Sequence, residues 1–360
     1  MTSISDTIKR LAELRAGAGH TGFSSHRLSD FEDFGSNPGT LTAKVYLPLS
    51  AEQNPALVVV LHGCTQSAEA YDYGSGWSRL AEEHGFILIY PQQHRQNNAN
   101  LCFNWFEPGD TRRGQGEASS ISQMIDNVCR RHQVDRKRVF ITGLSAGGAM
   151  ANVMLATYPE LFAGGAIIAG LPYNVASTVP EAFERMRGQG LPSGALLSRR
   201  VLEASPHDGP WPAVSIWQGT KDHTVAEANA HALVEQWWGV HGVTPSSPMS
   251  FSSDGRHRIT TWETEGGYAP VEFHAIEGMG HGTPIDSRIG LGTPSPFMLD
   301  VGVSSTAHIA RSWGLTPSFG TRTQPEVGQN DVLPERPKSV PADGIQGIIE
   351  RALRSAGLMR

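Results

Sequence analysis

Three cysteines are too few to build a disulfide framework in a chain of 360 residues, and an odd number cannot all pair within it. The chain also lacks any run of 18 or more apolar residues, so no membrane-spanning helix is expected. It has no block of Lys or Arg. With 29 basic against 35 acidic residues the net charge is −6, and neither nucleic acid nor an anionic membrane surface is an expected partner. The first residues do not read as a signal peptide, because Lys9, Arg10, Glu13 and Arg15 interrupt any apolar run, and a cytoplasmic address is the expectation. H-E-x-x-H, paired C-x-x-C and G-x-x-x-x-G-K motifs are all missing, so no metal and no cofactor is implied.

Glycine, by contrast, is plentiful, with 40 residues. One pair of glycines sets the frame for the rest of the chain: Gly143-Leu144-Ser145-Ala146-Gly147. An apolar run, Arg138 to Thr142, precedes it, and a small-residue helix, Gly148 to Leu155, follows. Strand, tight turn and helix are the context of a nucleophile elbow, in which glycines two residues either side leave room for the turn. The helix N-terminus favours negative charge, and the Ala146 N–H is a candidate oxyanion donor.

A serine hydroxyl needs a base to take its proton, and the base needs an acid to orient it. In this architecture the chain order is Ser, Asp/Glu, His, each just beyond a strand. Asp222 follows the run ending at Trp217, and His281 follows the run ending at Ile276. Asp254 and Asp300 are weaker candidates: the first sits in a polar Ser/Gly stretch and the second comes after His281. The second oxyanion donor belongs in the loop after the third strand, where His62-Gly63-Cys64-Thr65 stands, with the Cys64 N–H preferred and Thr65 as the fallback. Whether Cys64 pairs with Cys102 is left open. Cys129 reads as a core residue on a helix face.

Alternating strand and helix signals imply an α/β fold with a mostly parallel sheet and helices on both faces. Strands are expected at 41–48, 56–61, 86–91, 164–170 and 214–217, with a hairpin of 260–262 and 271–276 around Gly266-Gly267. Helices are expected near 77–83, 117–132, 225–238 and 304–313. The catalytic domain spans 21–315, with an insertion at 172–211 that holds a helix near 181–187. An amphipathic helix lies in 1–20, packed on the domain or pairing two copies in a homodimer. A Pro-rich linker covers 316–343, and a terminal amphipathic helix covers 344–360. The loop 92–116 is long enough to be functional.

Leu61-His62-Gly63-Cys64-Thr65-Gln66, Asn104-Trp105-Phe106, Gly143 to Gly148, Gly170-Leu171-Pro172-Tyr173 and Gly280-His281-Gly282-Thr283-Pro284 together resemble the polyhydroxybutyrate (PHB) depolymerase family of esterases. The resemblance covers about residues 40–315. It implies an α/β-hydrolase fold, hydrolysis of carboxylic esters through an acyl-enzyme, and Ser145, Asp222 and His281 as nucleophile, acid and base. Trp105, Tyr173 and Trp217 are the candidates for the wall of the substrate pocket. Short hydroxyalkanoate esters or oligomers are the expected substrates. A feruloyl or acetylxylan esterase is the alternative, and a non-catalytic binding protein with this fold is a third reading.

Overall fold

The computed structural model describes residues 27–51, 53–243, 249–264 and 268–317. The N-terminal helix, the linker from residue 318 onward, the C-terminal helix and the Gly266-Gly267 turn lie outside the described residues. One sheet takes in β1 (Ser29–Asp30), β2 (Thr42–Tyr46), β3 (Leu57–Leu61), β4 (Ile87–Gln92), β5 (Val139–Leu144), β6 (Gly164–Ile168), β7 (Ala213–Gly219), β8 (Met249–Asp254), β9 (His257–Trp262) and β10 (Val271–Ile276). Its spatial order is β1-β2-β4-β3-β5-β6-β7-β10-β9-β8. The six strands from β4 to β10 in that order run parallel, and antiparallel strands extend both edges. A small parallel pair, β11 (Thr283–Ile285) with β12 (Met298–Asp300), stands apart.

The helices are α1 (Ala68–Ser75), α2 (Trp77–His84), α3 (Gly116–Arg131), α4 (Ala146–Thr157), α5 (Val179–Met186), α6 (Gly194–Leu202), α7 (Ala228–His241) and α8 (Ser305–Ser312). Strand alternation divides the core between the two faces of the sheet. Leu57, Val59 and Leu61 of β3 pack with α3, α4 and α7, whereas Val58 and Val60 pack with α1, α2 and α8. Burial on both faces explains why the central strands read as unbroken apolar runs. None of the helices among the described residues is long and apolar enough to cross a membrane.

The elements differ from or add to the sequence reading in three places. The helix expected from Val225 begins at Ala228, because residues 222–227 are drawn into a loop. The polar stretch that holds Asp254 forms an edge strand, Met249–Asp254. Helices α1 and α6 add to those read from the sequence.

Three imidazoles meet on the α8 face of the sheet. His257 Nε2 lies 2.9 Å from His274 Nδ1, His308 meets His257 edge-on, and Trp217 stacks on His274 with ring centroids 3.8 Å apart. His274 Nε2 donates to Glu272 at 3.2 Å, so its Nδ1 accepts from His257. Burial pushes all three below the ordinary histidine value, His257 to about 3 and His308 to about 4. Around His308, Arg311 pushes the same way, while Asp254 and Glu272 pull against it. An unfolded chain protonates its histidines near pH ~6.5. Below that pH it binds protons that the folded cluster refuses. This contribution to stability is therefore complete above pH ~6.5 and is lost as pH falls towards ~4. The His308 ring has no hydrogen-bond partner among the described residues, so His308→Phe removes one titrating group at little structural cost. In thermal melts the variant is expected to lose less Tm than the parent between pH ~6.5 and ~4.5. An equal or steeper acid loss would count against the cluster.

Candidate active site

Ser145 sits between β5 and α4 with φ 57° and ψ −118°. That left-handed φ is costly for a non-glycine residue, about 1–3 kcal/mol, and persists only where the surroundings enforce it. Here the Ser145 N–H donates to the Ile168 carbonyl at 2.9 Å, and the Ser145 carbonyl accepts from Ala149 N–H at 2.8 Å. A Cβ on Gly143 would strike the Gly147 carbonyl, and one on Gly147 would strike the carbonyls of Leu61 and His62. These two glycines let the turn close against β3.

His281 Nε2 lies 2.9 Å from Ser145 Oγ, and His281 Nδ1 lies 2.7 Å from Asp222 Oδ2. A carboxylate only accepts, so Nδ1–H donates to it and Nε2 faces the serine as an acceptor. The Asp222 side chain is fully buried and held from all sides. Its Oδ1 accepts the N–H groups of Thr224 and Val225, both at 2.9 Å, and its Oδ2 also accepts Gln218 Nε2 at 3.1 Å. The acid and base loops are laced together by Thr220 N–H to the Ile276 carbonyl and Lys221 N–H to the Met279 carbonyl. β11 begins two residues after His281 and anchors its loop, with the Thr283 hydroxyl 3.1 Å from Tyr71 Oη. Asp254 and Asp300 make no hydrogen bond to His281, and Asp300 instead accepts from Ser287. An imidazole so placed can take the serine proton as the hydroxyl attacks a carbonyl carbon.

The chain order β3, β4, β5 becomes β4, β3, β5 across the sheet, so the strand order reverses between β3 and β5, where ligands bind in open α/β sheets. The His62–Thr65 loop leaves β3 on one side of this point and the elbow leaves β5 on the other. Among the described residues the N–H groups of Cys64 and Ala146 have no hydrogen-bond partner. The alternatives in the same loop are committed: Thr65 N–H donates to the Asn100 carbonyl at 2.7 Å and Gly63 N–H to Gln66 Oε1 at 2.9 Å. Cys64 therefore fits the second oxyanion donor better than Thr65 does.

The family model for esterase PHB depolymerases matches residues 41–260. The chain belongs to the PHB depolymerase esterase family. It is 45% identical over 297 residues to poly(3-hydroxyalkanoate) depolymerase C of Paucimonas lemoignei, covering 81% of this chain and 71% of that one. It is 32% identical over 271 residues to a probable acetylxylan esterase A of Aspergillus clavatus, covering 72% of this chain and 85% of that one. The fold is that of an acetyl xylan esterase from Aspergillus awamori, with a TM-score of 0.69 and 24% identity over 80% of this chain and 99% of that one. The protein is a serine carboxylester hydrolase of the α/β-hydrolase fold.

In this PHB depolymerase family member the triad opens on a cleft of about 170 Å³. Trp105, Phe106, Leu171, Val179, Ala182, Phe183, Met186, Val225 and Phe297 supply its apolar lining. Of the three aromatic residues expected in the wall, only Trp105 is there. Trp217 faces the α8 side of the sheet, where it stacks on His274 and donates to Ser215 Oγ. Tyr173 is buried behind the cleft, its N–H on Gln236 Oε1 and its hydroxyl on the Thr111 carbonyl. Both are core residues. The wall helix α5 is the helix expected in the 172–211 insertion, and its Val179, Ala182, Phe183 and Met186 fall at helical spacing. Among the described residues no group of three or more His, Cys, Asp or Glu is placed to hold a metal.

Cys64 and Cys102 form a disulfide, which joins the oxyanion loop to the 92–116 loop, while Cys129 is free and buried. Behind the bridge, Glu117 accepts Asn104 N–H at 2.9 Å and Gln93 Nε2 at 2.6 Å. Burial, aided by the Asp110 charge, pushes this carboxyl up to about 8. The Gln93 N–H in turn donates to His62 Nε2, whose other nitrogen donates to the Gly63 carbonyl. Removing an oxyanion donor outright costs about 10²–10³ in kcat. Reducing the bridge, or Cys102→Ser, loosens such a donor without deleting it. Turnover of a soluble ester is expected to fall about tenfold, a fraction of that range, with KM little changed. Undiminished kcat after verified reduction would show that the bridge does not position the loop.

Proposed function

We propose that Ser145 attacks the ester carbonyl, that His281 accepts its proton and returns it to the departing alcohol, and that Asp222 holds the imidazole. The N–H groups of Ala146 and Cys64 receive the oxyanion, and water activated by His281 then releases the acyl group from Ser145. The observation that carries this reading is the unbroken chain Asp222 Oδ2–His281 Nδ1, 2.7 Å, and His281 Nε2–Ser145 Oγ, 2.9 Å, on the floor of an apolar cleft.

The substrates are soluble esters of short hydroxyalkanoic acids and their oligomers. The depolymerase relative supports this class, and so does the mainly apolar lining of the cleft, which suits a short aliphatic acyl unit. The acetylxylan esterase relatives favour a second reading, in which the acyl group is acetate on a sugar. At equal ester-bond concentration, hydroxybutyrate trimer and short aryl esters are expected to give higher kcat/KM than feruloyl esters or acetylated xylan. Crystalline polymer, whose chains must be lifted singly into the recess, is expected to be slow. A clear preference for acetylated xylan moves the protein to the second reading, and rapid clearing of a crystalline suspension contradicts the first.

A further inference from the structure

One apolar wall of the cleft stands outside the sheet. Helix α5 supplies it from the insertion between β6 and β7, and Val179, Ala182, Phe183 and Met186 line the cleft from one side of that helix. The opposite side carries Glu181, Glu184 and Arg185. The position of this wall depends on how the C-terminal end of α5 is tied down. The Met186 carbonyl accepts the Ala226 N–H at 2.8 Å. Asn229 Nδ2 reaches the carbonyls of Arg185 at 2.8 Å, Met186 at 3.2 Å and Ala226 at 3.2 Å.

Asn229 is completely buried, and its Oδ1 has no partner among the described residues. Turning the amide over would set its oxygen against three carbonyl oxygens, so its role as donor is fixed. A buried polar atom left unpaired costs roughly 1–3 kcal/mol.

The same short segment that grips α5 also builds the acid's seat. Thr224 and Val225, whose N–H groups hold Asp222 Oδ1, stand directly before Ala226, and both line the cleft. Met186 belongs to both systems, with its side chain in the cleft and its carbonyl under Ala226 and Asn229. From these contacts we infer that α5 forms an apolar subsite for the aliphatic part of the ester, and that Asn229 is a positioning residue which sets the distance of this subsite from the triad. The inference rests on the cleft being the place of ester hydrolysis. It assigns chain-length preference to a helix outside the sheet and to a side chain that never touches substrate.

The test compares the parent with Asn229→Ala and Phe183→Ala. One arm lengthens the acyl chain, from p-nitrophenyl acetate through butyrate to hexanoate. The other lengthens the alcohol, from ethyl to hexyl acetate. In the arm whose chain meets α5, both variants are expected to lose about tenfold in kcat/KM on the longest ester, mainly through KM, and less than twofold on the shortest. That arm tells whether the subsite takes the acyl or the alcohol side. A uniform fall in kcat across all lengths, or a lowered Tm with unchanged length preference, would overturn the proposal. Should Asn229→Ala fail to fold, Phe183→Ala still decides, because an unchanged length profile there removes the subsite. A Ser145→Ala control separates the two levels. If it stays active, the reading of the cleft fails. If it is inactive while the length profiles are flat, only the subsite fails.

Discussion

Ser145→Ala is expected to lower kcat on a soluble ester by roughly 10⁶ while leaving the protein folded, the scale on which losing the nucleophile of a triad costs turnover. The substitution removes a single oxygen, and among the described residues Oγ is held only by His281 at 2.9 Å. The backbone bonds that force φ to 57°, from Ser145 N–H to Ile168 and from Ala149 to the Ser145 carbonyl, are untouched. Alanine inherits the same strained turn, so Tm should move by no more than a few degrees. The oxyanion donors Ala146 and Cys64 survive in the variant and can sustain a residual rate of about 10³–10⁴ over water. Far-UV circular dichroism and p-nitrophenol release, measured on the same preparation, check both halves. Retention of a tenth of the parent rate in a folded variant would remove Ser145 from the mechanism.

Asp222→Asn should cost about 10⁴ in kcat, the scale of a triad locked in the wrong histidine tautomer. The seat of Asp222 explains why the asparagine cannot escape by rotating. Two N–H groups, those of Thr224 and Val225, point at Oδ1, so the amide oxygen must lie there. Its NH2 then takes the place of Oδ2, facing His281 Nδ1 and crowding the Gln218 donor. The imidazole answers by accepting at Nδ1 and carrying its proton on Nε2, against the serine hydroxyl it should deprotonate. Asp254→Asn and Asp300→Asn serve as controls and should stay near the parent rate, because neither side chain reaches His281. A collapse in one of these controls with Asp222→Asn intact would reassign the acid.

The triad, the Cys64 loop and the parallel core were legible because each rests on local chemistry. Glycines either side of Ser145 are a steric demand of the turn. Asp222 and His281 each stand just past an apolar run in a Gly-rich segment, and Val58 to Val60 announce a strand covered on both faces. What stayed hidden depends on contacts between distant segments. Helix α1 buries Ala68, Tyr71, Asp72, Gly74 and Ser75, so its packed face is largely small or polar and leaves little apolar periodicity, although Ser67 does cap it. Trp217 and Tyr173 look alike in sequence as aromatics near catalytic loops. Only the pleat of β7 and the fold of the Gly170–Tyr173 segment turn both away from the cleft. Gln218 and Asn229 carry no motif, because their roles exist only once β7, α5 and α7 have met.

The parallel order of the sheet also governs when the protein becomes an enzyme. His281 lies 136 residues beyond Ser145 and 59 beyond Asp222, and each member of the triad stands beyond a different parallel strand, β5, β7 or β10. Parallel neighbours are joined only by long crossovers, so these contacts carry a large loop-closure entropy and form slowly. The elbow, by contrast, is built from adjacent residues. A chain still being synthesised thus presents its serine long before the base that would activate it, and the triad is incomplete until β10 has docked and brought the loop of His281 to the elbow.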